Sequence, residues 1–429
     1  MHEARDMVSI TELEGLLTQI DNDAGENSVL HSLYEYIMRK INAQDHRARS
    51  RAEMVISLVL FSFRLLTSNE FCHFFDISLG YPARPQIRRI DIRDLLRPCY
   101  GLVSTRSASD VVAFSHPSVG RYMEERRPGD AQEAHIRMAN VLLQILGAGD
   151  QGNGIFEYAC ENWGLHAHLA TPGANLDRLI SKALAGSFRA AHISDDINAR
   201  LHPCTQSDPG AMASAFAATH FGLDRFLPGL ILKLDNLDQA DSHGFTLLMH
   251  AANNNHVSTA KWLLNNGAHI DTRDRSFSGT ALHYATLQRH EPMVRALLLD
   301  GASLLVDMEN VTPLIYAVDL AWKDGIRIFL EAGVSIDATI PAILNPPLPG
   351  GILSQGEKAK SPRRGLTVLH YASLVGDPDM VSFLLEHQAD PSVTMEYGQT
   401  PLHVAVSRDV YLSKGRPPYN WLWRGHESA

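Results

Sequence analysis

Apolar and polar positions recur along the second half of the chain with a period of about 33 residues. Five segments open alike: Thr246-Leu247-Leu248-Met249, Thr280-Ala281-Leu282-His283, Thr312-Pro313-Leu314-Ile315, Thr367-Val368-Leu369-His370 and Thr400-Pro401-Leu402-His403. They start 34, 32, 55 and 33 residues apart, so one interval carries an insertion of 22. Each places an alanine five residues after the threonine, at Ala251, Ala285, Ala317, Ala372 and Ala405. Four run on to an apolar pair and a turn residue: Leu263-Leu264 with Gly267, Leu297-Leu298 with Gly301, Phe329-Leu330 with Gly333, Leu384-Leu385 with Gln388. The pattern predicts stacked helix pairs, in which threonine caps the first helix, alanine lets neighbouring helices approach, and glycine takes the left-handed turn after the second. Gln388 departs from it, at a cost of roughly 1 to 2 kcal/mol in the same conformation. One period upstream, Ala213 to Leu234, with Ala217-Ala218 and Gly222, reads as a degenerate first copy.

The first half carries a different helical pattern. Leu30, Leu33, Tyr34, Ile37, Met38 and Ile41 share one face at spacings of three and four, Met54 to Leu65 predicts a more buried helix, and Ile90 to Leu96 a short one. Ser9-Ile-Thr-Glu12 and Thr67-Ser-Asn-Glu70 both fit a capping box. Two strand-like runs, Gly101 to Thr105 and Val111 to Ser115, flank a polar turn from Arg106 to Asp110. Helix, helix, helix, hairpin, helix is a winged-helix order. The predicted fold class is therefore mainly α: a winged-helix and helical region followed by a repeat solenoid.

The repeat resembles the ankyrin repeat, over about 160 residues and in five registered copies. Such an array has no catalytic machinery and offers fingertip turns and a concave helix face to a partner protein. By position in the motif, the partner-facing residues are His243, Phe245, Asn253 and Asn254, then Phe277 and Gln288, then Glu309, then Tyr397 and Gln399. Aromatic and amide groups along one ridge suit a protein surface.

Composition limits the alternatives. With 45% hydrophobic and 20% charged residues among 429, the chain is neither disordered nor fibrous. A formal charge of −10 argues against a chain devoted to nucleic acid. Cys72, Cys99, Cys160 and Cys204 form no C-x-x-C pair, which disfavours a disulfide scaffold or thiolate zinc site. The 21 histidines raise the question of metal, but His250, His256, His283, His290, His370 and His403 fall at helix starts and adjoining turns of the repeat, where a backbone hydrogen bond is expected. His166-Ala-His168 places its imidazoles on different sides of a helix, and no further ligand completes a set. No metal and no cofactor are expected. The start, Met1-His-Glu-Ala-Arg-Asp6, is no signal peptide, and the longest apolar run, Met54 to Phe61, is far below the ~20 residues that span a bilayer. A cytoplasmic protein with no membrane association is expected.

Two irregularities interrupt the array. Residues 340–364 form a Pro/Gly-rich insertion ending in Lys358-Ala-Lys360-Ser-Pro-Arg363-Arg364, predicted as a projecting loop; its basic run also admits the nucleus as a compartment. Within it, Gly351 to Lys358 is a near miss to a phosphate loop, with Glu357 in the lysine's place and no apolar strand before it. After Ala405 the next helix is expected near Leu412, where Gly415, Pro417 and Pro418 forbid a normal one, leaving an irregular tail over 409–429.

In the first half, Leu30-His-Ser-Leu33-Tyr34-Glu35, Leu65-Leu66-Thr67-Ser-Asn-Glu70-Phe71, Cys99-Tyr-Gly101-Leu102-Val103, Phe114-Ser-His116-Pro-Ser118 and Tyr158-Ala159-Cys-Glu-Asn-Trp163-Gly-Leu-His166 occur in that order. The stretch resembles the one that follows the nucleotide-binding NACHT domain in fungal NACHT-ankyrin proteins, which are NOD-like receptors of the signal-transducing ATPase class. The resemblance implies an end-of-NACHT helical segment at 1–50, a winged-helix domain at 51–128, a helical linker domain at 129–204, and ankyrin repeats at 205–408. It also implies that His116 matches the histidine that senses bound nucleotide. This chain contains no phosphate loop, without which such a sensor has no nucleotide to read. The expected role is thus a non-enzymatic interaction scaffold or regulator, the truncated form of such a receptor. The competing reading is a DNA-binding regulator using Arg84, Arg88, Arg89, Arg93, Arg97 and Arg106, which with Asp91 and Asp94 make a net +4 patch.

Overall fold

The computed structural model describes residues 26–80, 90–106, 109–126, 130–148, 154–184, 209–232, 234, 236–241, 244–275, 278–304, 312–339, 365–395 and 398–412. The chain divides into two compact units, Met1–Ala199 and Arg200–Ala429. The predicted capping box at Ser9, the insertion 340–364 and Tyr419 to Trp423 lie outside the described residues.

In the first unit, α1 (Glu26–Asn42) buries Tyr34, Met38 and Ile41, three positions of the predicted face. Helix α2 (His46–Phe61) starts earlier and stops sooner than the apolar run suggests. The Asp45 carboxylate accepts the amides of Arg47 and Ala48 at 2.9 and 3.0 Å and so caps it, while Ser62 turns extended and ends it, leaving Leu65 44% exposed. The expected boundary at 50/51 therefore falls inside one continuous helix. Helix α3 (Ser68–Ser78) follows the predicted capping box: Thr67 Oγ1 accepts the Glu70 amide at 3.3 Å and Glu70 Oε2 accepts the Thr67 amide at 2.8 Å. After α4 (Ile92–Leu96) and a 3-10 turn at Arg97–Cys99, strands β1 (Val103–Arg106) and β2 (Val111–Phe114) form an antiparallel hairpin with Val103 opposite Phe114. Its free edge is extended by the chain before α3, since the Val112 amide donates to Leu66 O and the Ser68 amide to Asp110 O, both at 2.8 Å. Helices α5 (Pro117–Arg126), α6 (Asp130–Ala148), α7 (Gly154–Leu169) and α8 (Ala174–Lys182) complete the unit. Helices α6 and α7 pack along each other, with Leu142, Leu143, Tyr158, Ala159 and Trp163 buried. Cys72, Cys99 and Cys160 are buried, and burial pushes the Cys99 thiol up to about 12.

The second unit is a stack of helix pairs. Helices α9 (Pro209–His220) and α10 (Leu227–Ile231) come first. The regular pairs follow: α11 (Leu247–Asn253) with α12 (Val257–Asn265), α13 (Ala281–Leu287) with α14 (Glu291–Leu299), α15 (Pro313–Asp319) with α16 (Lys323–Glu331), and α17 (Val368–Val375) with α18 (Pro378–Glu386). Ala251, Ala285, Ala317 and Ala372 are completely buried, as close helix approach requires. The stack keeps its register across the insertion. Asp238 Oδ1 accepts the His269 amide and Asp271 Oδ1 the Ser303 amide, 31 and 32 residues on; Asp337 Oδ1 accepts the Asp390 amide 53 residues on, a separation widened by the length of the insertion. The Tyr371 hydroxyl also donates to Asp319 Oδ1 across it, at 2.6 Å.

The last described helix, α19 (Pro401–Leu412), is one unbroken helix of 12 residues. The sequence pattern places a turn between Ala405 and Leu412, and the structure has none. Leu402 is 71% exposed, although Leu248, Leu282, Leu314 and Leu369, at the same motif position, are buried beneath following helices.

The turn series tests the glycine argument. Gly267, Gly301 and Gly333 have φ of 97°, 89° and 90°, and Gln388 is held in the same left-handed region at 69°. A Gln388→Gly chain is expected to gain about 0.5 to 1 kcal/mol, the strain relieved less the entropy glycine adds to the unfolded state. Urea denaturation followed by hydrogen exchange in α17 and α18 checks it; a loss of stability refutes the strain.

Candidate interaction surface

The threonine–histidine pairs that start the helices are built from one local bond set. The backbone amides of Thr280, Thr367 and Thr400 donate to Nδ1 of His283, His370 and His403 at 3.2, 3.3 and 3.3 Å. A bare Nδ1 acceptor places the ring proton on Nε2. In His370 that proton is donated to the Gln399 carbonyl, at 3.0 Å, in the next turn. Burial pushes the His370 imidazole below its ordinary value, partly offset by that carbonyl. The turn histidines form a second series: Nε2 of His256 donates to His220 O at 2.8 Å, and Nε2 of His290 to Asn253 O at 3.0 Å. These histidines bond backbone, as the repeat pattern suggests. His250 is the exception. It lies one residue beyond the motif position, which Met249 occupies, and its Nε2 faces the buried Asp241 carboxylate at 3.0 Å.

Five of the nine candidate partner residues are described. The rings of Phe245 and Tyr284 are 4.4 Å apart, and the Phe245 amide donates to Asp241 at 2.9 Å, so this half-buried residue braces one turn against the next. Asn254 is also half-buried; its Nδ2 donates to His250 O at 2.9 Å and sits 3.3 Å from Nδ1 of His220. Both are more framework than contact surface. Asn253 is half-buried as well, but its side chain meets Gln288. Gln288 is exposed, and its Nε2 donates to Asn253 Oδ1 at 3.2 Å, joining equivalent ends of α11 and α13 in an amide ladder open to solvent. Gln399 keeps an exposed side chain while its carbonyl serves His370. His243, Phe277, Glu309 and Tyr397 lie outside the described residues.

In the first unit, His116 is exposed and its Nδ1 accepts the Ser118 amide at 3.3 Å, which caps α5. The same nitrogen lies 2.6 Å from Ser118 Oγ, which in turn meets the Tyr34 hydroxyl of α1 at 2.6 Å. Arg93, Arg97 and Arg106 of the basic patch are exposed, Asp91 caps α4 through the Arg93 amide at 2.8 Å, and Arg84, Arg88 and Arg89 lie outside the described residues. His166 and His168 point apart as expected, one fully buried and one exposed. The sequence reading missed His135: its Nδ1 is 2.8 Å from Nδ1 of His166, whose Nε2 meets the Tyr158 hydroxyl at 3.0 Å. The 31 residues separating the imidazoles carry no local signal of that pairing. Among the described residues, no group of three or more His, Cys, Asp or Glu side chains converges on a metal-sized space. No helix there is long and apolar enough to cross a membrane.

Comparison with known proteins accounts for the repeat. Models of ankyrin repeats match residues 248–340, in three copies, and 360–405. Palmitoyltransferase ZDHHC17 of Danio rerio is 27% identical over 226 residues, 44% of this chain and 33% of that protein. Palmitoyltransferase ZDHHC13 of Homo sapiens is 29% identical over 209 residues, 46% of this chain and 34% of that one. The mitochondrial disaggregase of Bos taurus is 31% identical over 163 residues, 38% and 21% respectively. The chain thus spans about a third of the palmitoyltransferases and a fifth of the disaggregase, and the palmitoyltransferases match through their ankyrin region. Among solved structures, the complex of the predatory endopeptidase Bd0816 of Bdellovibrio bacteriovorus with immunity protein Bd3460 has a chain 23% identical to this one. The match covers 47% of this chain and 97% of that one at a TM-score of 0.34.

Proposed function

We propose, from a C-terminal half built of ankyrin repeats, that this protein is a non-enzymatic scaffold or regulator that holds a partner protein on the inner helix ends and turns of the array. The observation that carries the reading is the solvent-open amide ladder between Asn253 and Gln288, set on a framework in which the buried pairs Thr280–His283, Thr367–His370 and His250–Asp241 are already hydrogen-bonded. A rigid framework with unspent amides at its rim suits recognition of a protein surface, because little side-chain entropy remains to be lost on binding. The helix pair α9 and α10 serves as the degenerate first repeat: His256 bonds into its last turn as His290 does into α11.

The first unit fits the winged-helix lid of a NOD-like receptor. Supporting this are the order of α2, α3, α4, hairpin and α5, the extended pairing at Leu66 to Ser68, and the position of His116. With no phosphate loop in this chain, His116 serves as a helix cap. DNA binding is the second reading, favoured by the exposure of Arg93, Arg97 and Arg106. Against it, α4 has five residues, about 7.5 Å of helix, little to lay in a major groove.

Affinity enrichment from cells with the intact chain, against the Asn253→Ala/Gln288→Ala variant, tests the main reading. At least one protein is expected to be enriched by the intact chain and reduced tenfold or more, about 1.4 kcal/mol, by the variant, with circular dichroism unchanged. Enrichment that ignores the double substitution overturns the assignment of this face. A shift of duplex DNA at low salt that Arg93→Glu/Arg106→Glu abolishes establishes the second reading instead.

A further inference from the structure

We propose that the His135–His166 pair is an acid-sensitive latch that holds the Ser62–Arg64 segment against α6 and α7. His135 and His166 lie on α6 and α7, and their Nδ1 atoms are 2.8 Å apart, so one nitrogen carries a proton and the other accepts it. His166 is fully buried and hands the bond on through Nε2 to the Tyr158 hydroxyl at 3.0 Å. That hydroxyl accepts the Phe63 amide at 3.2 Å, next to Ser62, whose hydroxyl donates to Leu58 O at the end of α2. The Phe63 ring lies over both imidazoles, 4.7 Å from His166 and 6.4 Å from His135, and is 47% exposed, so the pair sits one ring below solvent.

Neutral or singly charged, the pair keeps one Nδ1 donor and one Nδ1 acceptor, so the chain of bonds is broken only when both rings are charged. A second proton would put donors on both Nδ1 atoms and two charges at 2.8 Å. Burial, and then the charge of His135, hold His166 down to about 3, and burial lowers His135 as well. Other titratable and charged groups also face the site. Arg64 and Glu70, from the α2–α3 connection and α3, pair with each other, and Glu70 is held below the ordinary carboxylate range. Glu161 on α7 interacts with Arg64. Arg137 on α6 pairs with Glu133, and Asp76 and the buried His73 lie on α3. His168 is exposed on α7. When the segment lifts, each released imidazole regains an ordinary value near 6.5. At pH 5.0 His166, held down to about 3, therefore multiplies the open-to-closed ratio by about 30, and His135 acts in the same direction.

Hydrogen exchange of the full chain, corrected for the intrinsic effect of pH, reads the latch at the Phe63 amide in peptides covering 61–66. Protection there is expected to fall about 30-fold or more between pH 7.4 and 5.0. His135→Phe keeps an aromatic ring beside Phe61 and Phe63 and removes one proton acceptor, and should reduce that response, leaving the His166 part; His73→Phe should leave it intact. Protection that does not change with pH, or a pH response that survives His135→Phe undiminished and disappears in His73→Phe, overturns the proposal. Should His135→Phe not fold, NMR titration of the intact chain decides. His166 remaining neutral to below pH 5 while the 61–66 segment is closed supports the latch, and an ordinary titration near 6.5 with the segment closed overturns it.

Discussion

Phe329→Ala is expected to cost the repeat array about 3 to 5 kcal/mol. Phe329 is the large apolar residue of the pair that closes its repeat, it lies on α16, and it is fully buried. Its truncation removes the buried ring and leaves a cavity in the packed interior of the stack. In an array each repeat is stabilised mainly by its neighbours. The loss should therefore reach beyond α15 and α16, separating the unfolding of the repeats before the insertion from that of α17 to α19. Urea denaturation combined with hydrogen exchange, repeat by repeat, measures both effects. A cost below about 1 kcal/mol, or a loss confined to one helix, would show that the repeats are not energetically coupled there.

Glu70→Ala is expected to destabilise the first unit by about 2 to 4 kcal/mol. The carboxylate accepts two guanidinium bonds from Arg64, at 3.0 and 2.7 Å, and closes the capping box through the Thr67 amide at 2.8 Å. Burial disfavours its charged form, but the Arg64 and Thr67 hydrogen bonds outweigh burial and hold the carboxyl below its ordinary value. Arg64 is partly exposed, at 40% of its side chain, so much of the cost comes from the open cap and the lost packing, and less from a stranded cation. Glu70→Gln retains a carbonyl for the Thr67 amide and should lose about half as much. A carboxyl with a lowered folded value contributes stability that is complete above its ordinary range and is lost as pH falls through the folded value. The buried imidazoles follow the same sign from a higher start: their contribution is whole above about 6.5 and declines toward the folded value, about 3 for His166. The first unit should therefore weaken in two acid stages, the imidazole stage first. Denaturation midpoints from pH 8 to 3 check this, and Glu70→Ala should flatten the lower stage alone.

The two halves of the chain differed in how far their residues could be read without coordinates. In the repeat, the chemistry is local and periodic. Thr280 and His283, or Thr367 and His370, are three residues apart and bond each other, so sequence spacing and spatial neighbourhood coincide. The left-handed Gln388 was legible for the same reason, by comparison with Gly267, Gly301 and Gly333. The capping box at Thr67 and the hairpin from Val103 to Phe114 were legible in the first half because they too are local. The end of α2 was not. Met54 to Leu65 is largely apolar, yet the helix stops at Phe61, where Ser62 turns extended and the Phe63 amide is held by Tyr158, 95 residues away.

Within the candidate surface, sequence position could say which residues follow the first helix of each repeat but not how their hydrogen bonds are used. Asn253 and Asn254 are adjacent and identical in type. One is joined to Gln288 at the solvent-open rim, while the other turns its amide back to His250 O and His220. The sequence by itself determined the repeat, its period, its caps and its turns, because those depend on contacts within one turn of helix or one copy of a motif. Only the tertiary structure decided which amides remain free to meet a partner, and which two of the 21 histidines share a proton. Those pairings join residues that are far apart along the chain, where no local spacing records them.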